Sequence, residues 1–202
     1  MRNSSKLVSG IGIKGMTYFT QIEGEELKEY TLWAGMLYRC TQKYWDRFPT
    51  YIGVTCSENF KSYAFFYEWC NSQTGFNEKD KNGRNWSLDK DILIRGNRHY
   101  SEDTCVFVPE RLNSLLVKGD AVRGEWPIGV YRSKNSKKFK SRCSNGNGKQ
   151  KYLGSFNTPE EAFQAYKTYK EALIKEVANE YKDQLDCRVY EALMNYEVNE
   201  ND

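Results

Sequence analysis

Asp89-Lys90-Asp91 places two carboxylates two residues apart, and Asn113 supplies an amide oxygen further on. Carboxylate and amide oxygens are hard donors that suit Mg2+ or Mn2+ beside a phosphodiester, so Asp89, Asp91 and Asn113 could together hold such an ion. The other reading makes Asp89 and Asp91 a solvated strand edge and Asn113 a packing residue. With a single histidine, His99, nucleophilic triads are nearly excluded, and no nucleophile elbow surrounds it. The six cysteines contain no C-x-x-C pair, so a Cys/His zinc site is not expected and the thiols read as reduced.

A second set is basic. Arg132, Lys134, Lys137, Lys138, Lys140, Arg142, Lys149 and Lys151 occur in one stretch without an acid. The net charge of +3 is too mild to imply a polyanion partner by itself, so the clustering carries that expectation. The bland alternative is a solvated face.

The elements that must position these groups follow from periodicity. Tyr30, Trp33, Leu37 and Cys40 predict a helix after Glu25, and Ser57 is the predicted N-cap of a second one carrying Phe60, Tyr63, Phe66, Tyr67 and Cys70. Residues 71–85 read as a loop. Trp86 to Ile94 reads as a strand on which Asp89 and Asp91 share a face, followed by a turn at Arg95-Gly96-Asn97 and a partner strand at Thr104 to Val108. Pro109 opens a helix bearing Asn113. Lys118-Gly119-Asp120 is the expected linker.

Beyond it, Phe139, Ser141 and Cys143 alternate with Lys138, Lys140 and Arg142, which gives a strand with one buried and one cationic face. Asn145-Gly146-Asn147-Gly148 is a hairpin signal. Thr158-Pro159-Glu160-Glu161 is a capping box ahead of a long amphipathic helix. The tail from Glu197 is expected to fray. Gly10-Ile11-Gly12-Ile13-Lys14-Gly15 matches G-x-G-x-x-G but lacks the preceding strand and following helix of a dinucleotide site. No run of 18 apolar residues is present, so no membrane partner is expected and a cytoplasmic location is.

Two resemblances attach to these residues. Asp89-Lys90-Asp91-Ile92, Asn97, Tyr100 to Cys105 and Asn113 resemble the ββα-metal finger of the HNH homing endonucleases common in phages, as do the segments Leu32 to Cys40 and Phe60 to Trp69 upstream. Gly129-Val130-Tyr131-Arg132, Lys151 to Phe156 and Thr158 to Ala162 resemble the AP2 DNA-binding domain. The resemblances imply an α+β chain: an arm (1–24), an HNH-like ββα domain (25–118), an AP2-like three-stranded antiparallel sheet on a helix (121–182) and a C-terminal helix and tail (183–202). They imply binding of double-stranded DNA through Arg132, Lys138, Lys140, Arg142, Lys149, Lys151 and Tyr152, with hydrolysis of phosphodiesters if the finger is active, in a bacterial host's cytoplasm if phage-encoded. The nuclease resemblance implies Asp89 and Asn113 as the ligands of Mg2+ or Mn2+, and Lys90 stands where that family has a histidine base. A lysine serves as base only with its pKa lowered, and flanking aspartates act the other way, leaving Lys90 or His99 to assist water. The rival reading is a DNA-binding regulator or host-interaction factor that keeps the finger as scaffold.

Overall fold

The computed structural model describes residues 7–116, 125–134 and 136–200. Helices and small sheets are mixed, and the class is α+β. The chain divides into two compact units, Met1–Phe107 and Val108–Asp202. The expected linker at Lys118 to Asp120 lies outside the described residues. The helix Glu110–Leu116 (α4) belongs to the second unit, where it buries Leu112 and Leu115 and packs on the long helix. Its Arg111 pairs with Glu180 there at 2.7 Å.

The first unit is built on aromatic side chains. Helix α1 (Lys28–Arg39) buries Trp33, Met36 and Leu37, and α3 (Tyr63–Ser72) buries Tyr63, Phe66, Trp69 and Cys70. The Trp33 indole N–H donates to the Phe60 carbonyl at 2.7 Å, satisfying the one polar atom of that buried side chain. The short helix α2 (Gln42–Arg47) and a single 3-10 turn ending at Tyr51 follow α1. Ser57 caps less than its position predicts: its hydroxyl accepts from the Phe60 amide in a 3-10 turn, and Ser62 caps α3 instead. The described part of the N-terminal arm, from residue 7, is tied to the rest of the first unit. A two-residue hairpin, β1 (Gln21–Ile22) with β2 (Glu25–Glu26), closes it, and Ile13 bonds to the backbone on either side of Ser62. Gly12 is required by packing and not by a nucleotide, because a Cβ there would overlap Leu37 and Trp33.

The long strand expected from Trp86 to Ile94 is only β4 (Ser87–Asp89), which joins β6 (Val106–Val108). Asp89 is the reason. Its Oδ1 accepts the amides of Asp91 and Ile92, each at 2.8 Å, and this side-chain turn takes the backbone out of the extended ladder. The strand β5 (His99–Tyr100) pairs in parallel with β3 (Thr55–Cys56).

The second unit has an antiparallel sheet ordered β7 (Val130–Tyr131), β8 (Phe139–Ser144) and β9 (Gln150–Phe156), backed by α5 (Pro159–Glu180). Thr158 and Glu161 form the full capping box at the start of α5. Helix α6 (Cys187–Met194) follows, N-capped by Asp186. The tail does not fray at Val198: it is buried in a core of Cys143, Phe163 and Tyr166, its amide bonded to Glu171 and its carbonyl to Lys167. Valine is the apolar residue of that polar tail, and the core takes it.

Candidate nucleic-acid interface

Strand β8 alternates as its sequence dictates. Phe139, Ser141 and Cys143 are buried beneath the sheet, while Lys140 and Arg142 point the other way. Register then decides which neighbours share the outer face. Tyr131 lies opposite Lys140, and Arg142 lies opposite Tyr152. A bulge between Ser141 and Arg142 leaves Leu153 without a partner, since Ser141 pairs with Gly154. Leu153 packs into the core, and Tyr152 therefore emerges on the Arg142 side, 57% exposed.

Arg142 is held in place on this face. Its guanidinium lies 4.8 Å from the Tyr131 ring centroid, and its amide donates to the Gly129 carbonyl at 3.0 Å. Gly129 is in the left-handed region (φ 78°), and a Cβ there would drive into the Tyr166 ring. The first residue of Gly129-Val130-Tyr131-Arg132 is thus fixed by backbone geometry. Tyr152 shares a hydrogen bond with Ser155 at 2.9 Å, and Lys140 Nζ donates to Ser133 at 3.3 Å. Lys138 is exposed just before β8, and Lys149 is exposed in the hairpin closed by Asn145.

Two of the seven expected contacts turn elsewhere. Lys151 lies opposite the buried Cys143, so it projects toward α5, where its ammonium sits 4.7 Å from the Tyr169 ring. Arg132 follows Tyr131 and stacks over Trp126 and the buried Phe139, at 5.5 and 5.4 Å. Both assignments came from the AP2 resemblance laid over a basic stretch, and neither distinguishes the two faces of a strand. Tyr131 and Ser155 belong to the outer face and were absent from the expected set. Pairing register would have found them.

The ββα-like residues present a different arrangement. Asp89 is half-buried, and desolvation, then the charge of Asp91, pushes its carboxyl up to about 6 against the amides of Ile92 and Asp91 and the cation of Lys90. Lys90 lies against Asp91 at 3.3 Å, with its ammonium 6.0 Å from the Tyr51 ring and 5.7 Å from the Tyr100 ring. Asn97 donates to the carbonyls of Lys90 and His99 and accepts the His99 amide, which fixes the loop. The exposed His99 ring bonds to Thr55 through Nδ1 at 2.8 Å. Asn113 is half-buried on α4, in the second unit, whereas Asp89 is in the first.

Comparison with family models, curated proteins and solved structures gives no match. The chemistry must therefore be judged on the residues themselves. Among the described residues, no three His, Cys, Asp or Glu side chains converge to hold a metal ion. Asp89 Oδ1 is already taken by two amides, and Asp91 is tied to Lys90. That donor set fits Mg2+ or Mn2+ poorly. Among the described residues, no helix is long and apolar enough to cross a membrane.

Proposed function

We propose that the protein binds double-stranded DNA through the outer face of β7–β8–β9. One observation carries this reading: Lys140, Arg142, Tyr131 and Tyr152 share a single face, with the buried face sealed by α5. A twisted sheet with α5 behind it suits the major groove, where a guanidinium reads guanine bidentately and ammonium groups take phosphates. Arg142, pre-set by the Tyr131 ring, is the base reader; Lys138, Lys140 and Lys149 position the duplex. The resemblance of this segment to AP2 domains supports the same reading.

Mobility shifts on a duplex library test it. Arg142→Ala should lower affinity by about 1–3 kcal/mol and relax sequence preference, while Lys140→Ala should weaken all sequences alike and lower the salt slope by about one. Binding unchanged in both variants would refute the interface.

Cleavage is a second reading, favoured by one feature: a half-buried carboxylate with a raised pKa beside another carboxylate, as active sites often hold. The engagement of Lys90 with Asp91 favours the alternative, a non-catalytic binder that keeps the finger as scaffold. Plasmid incubated with Mg2+ or Mn2+, beside Asp89→Ala, separates the two. Metal-dependent nicking lost in the variant supports the nuclease, and binding without nicking supports the scaffold.

A further inference from the structure

A glycine amide has no neighbouring Cβ to shield it, so it is the backbone nitrogen best able to reach the side-chain carbonyl of an asparagine before it. The chain has three such pairs, Asn82-Gly83, Asn145-Gly146 and Asn147-Gly148, and the fold treats them differently. At Asn145 the side-chain oxygen accepts the amides of Asn147 at 2.9 Å and Lys149 at 3.2 Å, and turning its Cγ onto the Gly146 nitrogen would break both bonds. The Gly146 amide itself donates to the Ser144 hydroxyl at 3.2 Å, and a Cβ there would lie 3.0 Å from Arg111 and Leu115 of α4. At Asn82 the Gly83 amide donates to the Asp80 carbonyl at 2.9 Å, inside a turn whose Asn82 and Arg84 amides both bond to the Asp80 carboxylate. Asn147 and Gly148 have neither restraint. Both are exposed, and a Cβ at Gly148 would meet nothing within 4 Å. Among the described residues, the Gly148 amide donates to no acceptor and the Asn147 side chain has no hydrogen-bond partner.

We propose that Asn147 is a site of spontaneous deamidation in the folded protein, and that its conversion weakens the cationic face beside it. The Gly148 backbone nitrogen attacks the Asn147 Cγ. A C–N bond closes the succinimide, the Cγ–Nδ2 bond breaks, and ammonia leaves with the Gly148 amide proton. Water then opens the imide at either carbonyl, and nothing else is consumed. Opening at Cγ gives aspartate; opening at the backbone carbonyl gives isoaspartate, in which the chain runs through the side-chain carbons. Either product places a carboxylate two residues from Lys149, in the hairpin that joins β8 to β9. Isoaspartate also lengthens the backbone between Asn145 and Lys149, where the bonds to Asn145 Oδ1 set the turn. The loss of affinity rests on DNA binding through that face; the modification itself does not.

The whole chain, folded and as a guanidinium-unfolded control, is incubated at mildly alkaline pH and sampled over days. A tryptic digest yields residues 143–149 and a glutamate-specific digest residues 79–102. Electron-transfer fragmentation then places each conversion and separates isoaspartate from aspartate. In the folded chain Asn147 should convert while Asn145 and Asn82 persist, and in the unfolded chain all three should convert at similar rates. Asn147→Gln should leave residues 143–149 unmodified in the folded protein. Conversion of Asn145 or Asn82 as fast as Asn147 in the folded chain would overturn the assignment. So would an intact Asn147 over the time in which the unfolded chain converts. The effect on DNA is read separately by mobility shift of Asn147→Asp, whose affinity should fall about two- to fivefold at low salt and approach wild type as salt is added. If Arg142→Ala weakens binding and Asn147→Asp does not, the effect on the cationic face is overturned and the interface stands. Binding unchanged in both variants refutes the interface instead, and the mapping alone then decides the modification site.

Discussion

Replacing Asp89 by asparagine should make the first unit more stable at neutral pH, by an amount that grows from pH 4 to pH 6. The amide oxygen can still accept the Asp91 and Ile92 amides, so the turn is retained while the buried charge and its repulsion from Asp91 are removed. The carboxyl moves from 3.8 to about 6 on folding, and at about 1.36 kcal/mol per unit this corresponds to about 3 kcal/mol. Asp89 retains some surface, so about 2 kcal/mol is the working figure. The direction follows from proton linkage. Below pH 4 the group is protonated whether folded or unfolded and contributes no difference. Between 4 and 6 the folded chain holds the proton and the unfolded chain has lost it, so wild-type stability falls as pH rises. Above 6 the penalty is constant. Urea unfolding at several pH values measures this, read by fluorescence, because four of the five tryptophans (Trp33, Trp45, Trp69 and Trp86) lie in the first unit. The extra amide protons of asparagine add only an offset independent of pH. A stability difference that stays flat from pH 4 to pH 7, or shrinks as pH rises, would refute the desolvation argument.

Other outcomes follow from packing and register. Lys151→Ala should leave DNA affinity near wild type, unlike Arg142→Ala, and should cost about 0.5–1 kcal/mol in thermal unfolding by losing the Tyr169 contact. Gly129→Ala combines a left-handed backbone with a Cβ in the Tyr166 ring, so a loss of about 2–4 kcal/mol in stability is expected by calorimetry. Val198→Ala removes buried methyl groups from the core of the second unit and should lower its stability by about 2 kcal/mol, where a frayed tail would show no change.

Local chemistry was readable where one residue type dictates one outcome. Thr158 with Glu161, the Asn145 hairpin and the alternation of Phe139, Ser141 and Cys143 each have a short-range cause, and each appears where its residues place it. What escaped depends on partners distant in sequence. The outer-face set changed because a bulge of one residue in β9 sets the phase of Tyr152 against Arg142, and no pattern within β9 alone announces it. Trp86 to Ile94 alternates like a strand, yet the Asp89 side chain competes for the amides that a ladder would use. Ser57 and Ser62 are both good caps, and the choice between them rests on where Phe60 must sit to receive the Trp33 N–H. At the candidate site, Asp89 and Lys90 were legible as residues of interest. The raised pKa of Asp89 depends mainly on burial, and the Tyr51 and Tyr100 rings beside Lys90 come from elsewhere in the chain, neither of which is visible in a three-residue motif.

The seat of Val198 also bears on how the second unit is made. Val130 and Cys143 leave the ribosome long before the segment that completes the core beneath them, and Ile128 waits for Glu200 to accept its amide. Until then Phe163 and Tyr166 lack a neighbour that the finished unit gives them, and a sheet with exposed edges stands open during synthesis. Contacts spanning about seventy residues raise the contact order of an otherwise local hairpin-and-helix unit and slow its closure. The final step in building the cationic face is thus taken by a valine that never reaches it.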